Sequence, residues 1–124
     1  MIALDTSAVV AHLSGADGAA AKAAAAAFAA RQACLPPVVL AELLSDPVLP
    51  VAVATLLKEL PRLELTDGYW ERAGALRAKI LGRGLKARLA DALIAQSCVD
   101  HRVPLVTADR DFKHFARHGL SLLP

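Results

Sequence analysis

The sequence predicts an α/β fold: one three-layer α/β/α sandwich built around a parallel sheet. Two observations carry this. Short apolar runs at Ile2–Leu4, 33–35, 63–65, 104–106 and 120–122 alternate with longer segments of helical character. Strands buried on both faces read as such unbroken runs rather than as apolar–polar alternation. The 124 residues are also 56% hydrophobic, without a linker or internal repeat, so residues 1–124 form one domain.

The elements follow in order. Ile2–Leu4 is a buried strand that stops at Asp5, and Thr6 or Ser7 caps a helix to about Leu13. Ser14-Gly15-Ala16 breaks that helix. Asp17 caps an alanine-rich one ending near Arg31, where alanine is the best helix former. Residues 33–35 form the second strand. Pro36-Pro37 then turns the chain into a helix over 38–44, its second proline suited to a first helical turn. Ser45-Asp46-Pro47 starts another helix, which runs to about Leu60. Strand 63–65 precedes a helix capped by Thr66 or Asp67 and running through Leu81, with Gly82 and Gly84 in the loop beyond. A long helix covers 86–101, strand 104–106 follows, and a short helix over 112–117 leads to a last edge strand at 120–122.

Composition removes several function classes. Mean hydropathy is +0.44, yet no apolar run reaches the roughly 20 residues of a spanning helix. The longest candidate, 18–30, is mostly alanine and is interrupted by Lys22, so no membrane association is expected. Cys34 and Cys98 are too few for a disulfide scaffold or a zinc site and read as buried free thiols. His12, His101, His114 and His118 lack zinc-motif spacing and read as surface or packing residues. The N-terminus carries no signal-peptide pattern, so a cytoplasmic location is expected. Net charge is +2, too small to imply nucleic acid by itself. Its distribution says more: Arg72, Arg77, Lys79, Arg83, Lys86 and Arg88 crowd one stretch in which Glu71 is the only acid. That stretch is either an RNA-facing surface or a solvated helix face followed by a turn.

With only 21% of residues charged, acids inside apolar segments stand out. Asp5 is the only formally charged residue in the first sixteen and directly follows a strand; it is a helix cap, a turn residue or a functional group. Glu42 is the only charged residue between Arg31 and Asp46, either lone and solvent-facing or functional. On a helical wheel Asp91 falls between Ala95 and Cys98, among small apolar residues. An ionised carboxylate there needs an arginine, a capping role or a metal. Asp109 lies just past strand 104–106, as Asp5 lies past the first strand, and Asp111 two residues on is a candidate cap. Ligands of such sheets bind beyond the carboxyl ends of the strands. Converging carboxylates repel unless a cation joins them, and an oxygen-only donor set suits Mg²⁺ or Mn²⁺.

These residues resemble a PIN-domain ribonuclease, specifically the VapC toxins of bacterial and archaeal toxin–antitoxin pairs. The matching segments are Leu4-Asp5-Thr6-Ser7-Ala8, Leu40-Ala41-Glu42-Leu43-Leu44, Leu89-Ala90-Asp91-Ala92-Leu93-Ile94-Ala95 and Val106-Thr107-Ala108-Asp109-Arg110-Asp111-Phe112. They stand in the family's order, and the likeness covers essentially the whole chain. The resemblance implies a twisted parallel sheet between helices and metal-dependent cleavage of single-stranded or loop RNA. It places the family's acidic quartet, as catalytic and metal-holding residues, on Asp5, Glu42, Asp91 and Asp109, with Glu42 acting through water or as proton acceptor. Ser7 and Thr107 match supporting hydroxyl positions and Asp111 a secondary acidic one. The resemblance further implies a cognate antitoxin and a homodimer. Lys86, Arg88, Arg110 and Lys113 are candidate RNA contacts. The chain departs from the pattern at Pro36-Pro37, where Ser or Thr is common, at Gln96-Ser97-Cys98, and in its alanine-rich second helix. The alternative function is a catalytically inactive PIN-like module that binds protein or RNA. A phosphotransfer domain fits less well, because Ser7 stands where the haloacid-dehalogenase-like pattern needs a second aspartate and the receiver pattern's paired acids are missing.

Overall fold

A computed structural model describes residues 1–123, so Pro124, the last residue of the expected domain, lies outside it. Among these residues a four-stranded sheet runs in the order β2-β1-β3-β4. The strands are β1 (Ile2–Leu4), β2 (Ala33–Cys34), β3 (Leu105–Val106) and β4 (Leu122–Leu123), every neighbouring pair parallel. The helices are α1 (Thr6–Leu13), α2 (Ala19–Ala29), α3 (Pro37–Leu44), α4 (Val51–Glu59), α5 (Tyr69–Leu81), α6 (Leu89–His101) and α7 (Lys113–Ala116). Ala3, Leu4, Cys34, Leu105 and Val106 are completely or almost completely buried, as strands covered on both faces must be. Cys34 and Cys98 are free and buried, as expected.

The topology decides where the site lies. From central β1 the chain crosses to β2 on one side and later returns to β3 on the other. The carboxyl ends of β1 and β3 therefore form the switch point of the sheet, where a crevice opens. Ala3 pairs with Leu105 and Leu4 with Val106, and the Asp5 N–H donates to the Val106 carbonyl at 3.2 Å. One more step along each strand brings Asp5 beside Thr107. Behind this end Phe112 and Phe115 are 1% and 0% exposed, their rings 5.8 Å apart. Burial of such a side chain is worth about 1.5–3 kcal/mol, and here it anchors the turn that follows Asp109.

Several sequence expectations are corrected. Residues 63–65 form no strand; a single parallel bridge joins Leu35 to Arg62. Leu35 donates to the Pro61 carbonyl and accepts the Leu63 N–H, but Pro36 and Pro37 beyond it have no N–H to carry the ladder on, and Leu65 is 42% exposed. The last strand lies at Leu122–Leu123, because Leu120 is buried as a plug before it. Asp5, not Thr6 or Ser7, caps α1. Gly18 stands at the cap of α2, and Asp17 does not bond to it. α3 starts on Pro37 itself, at its first turn. α4 begins only after Pro50, since Asp46 holds a turn through the N–H groups of Val48 and Leu49. Gly68, at φ 80°, opens α5 in a left-handed conformation that favours glycine. α6 begins at Leu89, which leaves Lys86 and Arg88 on the preceding segment. The expected helix over 112–117 is a 3-10 turn (Arg110–Phe112) leading into α7.

Candidate functional site

Asp5 is 3% exposed and densely bonded. One carboxylate oxygen accepts the Ala8 N–H at 2.8 Å, the bond that caps α1. The Ser7 hydroxyl reaches both oxygens at 2.8 and 2.9 Å, and the Thr107 hydroxyl donates to the second at 2.5 Å. Each hydroxyl also accepts a backbone N–H, Ser7 from Ala108 at 3.0 Å and Thr107 from Asp109 at 2.9 Å. A hydroxyl has one proton, so both are oriented to donate towards Asp5. Burial raises the Asp5 carboxyl above its ordinary range, Thr107, Ala8 and Ser7 oppose that rise, and the charge of Asp109 adds to it.

Asp109 caps the 3-10 turn, accepting the Asp111 N–H at 2.9 Å. The cap expected of Asp111 is therefore made by one oxygen of Asp109, whose other oxygen faces Arg88, and Asp111 turns its carboxylate to the basic side chains. Arg88 reaches Asp109 at 3.1 Å, Asp91 at 3.6 Å and Asp111 at 3.9 Å, while Lys86 stands 3.8 Å from Asp111. Asp91 lies in the first turn of α6 and is 9% exposed. Its carboxyl is raised to about 6, first by burial. Arg88 opposes this, and the charges of Asp109, Asp5 and Glu42 reinforce it. Glu42 is on the exposed side of α3 and accepts the Thr6 hydroxyl at 2.7 Å.

One cavity of about 280 Å³ collects these groups, lined by Asp5, Thr6, Ser7, Val10, Glu42, Arg88, Asp91, Ile94 and Asp109. All four acids singled out from the sequence meet there, with Thr107 bonded behind Asp5 and Asp111 at the rim through Arg88. A larger groove of about 620 Å³ lies between α1, α2 and α4, lined by His12, Leu13, Phe28, Arg31, Val53 and Leu56 among others. Most of its lining is apolar, with His12, Arg31 and Glu59 as its polar members, whereas the smaller cavity is lined by four carboxylates.

The donor set is oxygen-only and anionic, the kind that takes Mg²⁺ or Mn²⁺. As the side chains lie, no three His, Cys, Asp or Glu among the described residues stand close enough to chelate an ion. The reason is visible: Asp5 is committed to Ser7, Thr107 and Ala8, Glu42 to Thr6, and the Arg88 guanidinium bridges Asp91 and Asp109. The donors thus fit a divalent ion in chemistry and number, with their own hydroxyls and one arginine in attendance.

Two members of the basic stretch read from the sequence are held by bonds within the fold. Arg72 is bound to Asp100 through two nitrogens at 2.7 and 3.1 Å, and also to Thr66 and the Asp67 carbonyl. Arg77 donates to the Ala87 carbonyl at 2.9 Å. Only Lys86 and Arg88 reach the acids, while Arg110 and Lys113 are exposed just beyond Asp109 and form no ion pair among the described residues. Sequence reading missed Thr6 as the partner of Glu42. The hydroxyl beside Asp5 was its only signal, and a bond across 36 residues has no local pattern.

The sequence matches the PIN domain family over residues 2–118. No curated protein matches it. Among solved structures, VapBC2 from Rickettsia felis, crystallised with a promoter DNA fragment, superimposes with a TM-score of 0.72 at 23% identity, over 99% of this chain and 98% of that one. VapBC-5 from Mycobacterium tuberculosis, a member of the VapBC family of toxin–antitoxin systems, gives 0.63 at 18% identity, over 98% and 94%. At such identities these structures share the fold, a parallel sheet flanked by helices. With nearly its whole length matched, the chain belongs to the PIN domain family.

Proposed function

We propose that this protein is a metal-dependent endoribonuclease, the toxin of a type II toxin–antitoxin pair. One observation carries the reading: Asp5, Glu42, Asp91 and Asp109, from four separated segments, line a single cavity in which Arg88 is the only cation. A fold does not gather like charges without a use for them, because each raises the cost of ionising the next. A bound Mg²⁺ or Mn²⁺ would neutralise the acids, lower the pKa of a bound water and offset charge on a scissile phosphodiester.

The chain's own residues divide the remaining work. Asp5, Asp91 and Asp109 are the proposed metal-holding groups, and Ser7 and Thr107 keep the Asp5 carboxylate aimed by donating to it. Glu42, on the exposed lip and tethered only by Thr6, is placed to accept a proton through water. Arg110 and Lys113 extend a positive border past Asp109 for RNA phosphates. For the antitoxin, the groove between α1, α2 and α4 has the apolar lining that would take the apolar face of an amphipathic helix. Leu13 in its lining is about half exposed and Leu56 more so, apolar surface that a partner would cover. One similar structure is described as VapBC2 bound to promoter DNA and the other as a member of the VapBC family of toxin–antitoxin systems, which supports a protein partner. A homodimer is the further expectation, supported by Trp70 and Leu89, which remain exposed at 63% and 56%. No helix among the described residues is long and apolar enough to cross a membrane, and a cytoplasmic location suits an RNA substrate.

The test is RNA cleavage by purified protein with EDTA and after adding back Mg²⁺ or Mn²⁺. Cleavage that vanishes with chelator and returns with metal supports the proposal. RNA binding without cleavage under every metal condition would instead establish an inactive module.

A further inference from the structure

We infer that Arg88 is a tethered counter-cation: it contacts the acids of this centre and competes with a divalent ion for them. This rests on the proposed metal site and concerns its regulation. Arg88 is the residue before α6, and its carbonyl accepts the Ala92 N–H at 3.1 Å, so its backbone is fixed at the cavity mouth. Its side chain does not cap the helix. Its charged contacts are all with acids of this end: Asp109 at 3.1 Å, Asp91 at 3.6 Å and Asp111 at 3.9 Å.

The geometry is that of a releasable group. No contact is a paired, two-nitrogen bond to one carboxylate, the arrangement that makes an arginine hard to move. Instead one guanidinium spans three acids, and its side chain is 59% exposed. Elsewhere in the molecule Arg72 holds Asp100 through two nitrogens, so the fold does build the tight form when an arginine is meant to stay. A divalent ion brings twice the charge in a smaller volume and outcompetes such a spread contact, at the cost of releasing it. Once released, Arg88 stands beside Lys86 at the mouth of the cavity, where an anionic substrate approaches. The same side chain then shields the acids before the metal arrives and borders the substrate afterwards.

The experiment measures Mn²⁺ binding by the loss of the free-ion paramagnetic resonance signal, on full-length wild type, Arg88→Gln, Arg88→Lys and Asp91→Asn. Arg117→Gln makes the same change in net charge at a residue that does not line the cavity. Competition by a solvent-screened cation predicts about threefold to tenfold tighter Mn²⁺ binding by Arg88→Gln, with Arg88→Lys between it and wild type. Arg117→Gln should match wild type. The metal-free Arg88→Gln protein should also melt lower than wild type, and saturating Mn²⁺ should close that gap. Unchanged or weaker binding by both Arg88 variants, with wild type binding and Asp91→Asn not, overturns the inference alone. Failure of every protein to take up Mn²⁺ overturns the metal site itself, and this inference with it.

Discussion

Asp91 and Asp100 sit on one helix, nine residues apart, and have opposite fates. Asp100, near the carboxyl end of α6, meets an unfavourable helix dipole. Burial pushes its carboxyl up, yet Arg72, Gln96 and Thr66 together hold it below its ordinary value of 3.8. Asp91, in the first turn, has a favourable dipole and lies about 6. Its only positive neighbour is Arg88 at 3.6 Å, against three acids. Local partners outweigh the dipole in both cases. The lesson is one of completeness: a carboxylate that holds the fold together receives its donors from the fold, and one reserved for chemistry is left short of them.

The largest effects should come from the incomplete end. Asp5→Asn should lower RNA cleavage about 100-fold or more, the scale of losing one charge-stabilising group. It should also destabilise the protein, because an amide NH₂ would face either the Ser7 or the Thr107 hydroxyl, both already oriented as donors. An unsatisfied buried contact of this kind costs about 1–3 kcal/mol. Calorimetry together with a cleavage assay checks both.

Asp91→Asn should do the reverse to stability. A carboxyl raised from 3.8 to about 6 favours the folded state when protonated, so its contribution is present below pH 3.8 and lost as pH rises through about 6. The shift corresponds to about 3 kcal/mol. Metal-free Asp91→Asn should therefore be more stable than wild type at pH 7.5, by up to that amount, and the difference should vanish as pH falls below 3.8. Asp100 has the opposite sign: with its pKa lowered, its contribution is present above 3.8 and is lost as pH falls below that value. Denaturant melts in EDTA across this range read both signs, and parallel curves for the two variants would break the contrast.

At the complete end, Arg72→Ala or Asp100→Asn should lower the melting temperature by a few degrees, since Arg72 is 42% exposed while Asp100 is 11%. Cleavage should persist in both. The smallest effect should come from Arg110→Glu with Lys113→Glu, which should weaken RNA binding severalfold at low salt and flatten its salt dependence, without altering Mn²⁺ binding. Filter binding at two ionic strengths measures it.

The sequence made one half of this contrast legible and hid the other. Asp5, Glu42 and Asp91 stood out because each interrupts an apolar segment, and Asp109 because it follows a strand. The strand–helix alternation likewise located the two central strands whose ends carry the site. Pairings were invisible: Arg72 meets Asp100 across 28 residues and Arg88 meets Asp109 across 21, and nothing local distinguishes these arginines from solvated ones. The strand expected at 63–65 failed for a related reason. An apolar run records burial, which Leu63 has, but a ladder needs a neighbouring strand with free donors, and after Leu35 the facing chain passes into Pro36-Pro37, which have none. Helix starts slipped where a backbone device replaced the side-chain cap, at Gly68 before α5 and at Pro50 before α4.

The most direct test compares Asp91→Asn with Asp100→Asn in Mn²⁺-supported RNA cleavage. Asp91 accepts no short hydrogen bond in the fold, so its replacement removes charge with little structural disturbance. Near-complete loss of cleavage in Asp91→Asn, with wild-type rates in Asp100→Asn, is the predicted result. Wild-type cleavage by a folded Asp91→Asn protein would contradict the assignment of this end of the molecule as the catalytic centre.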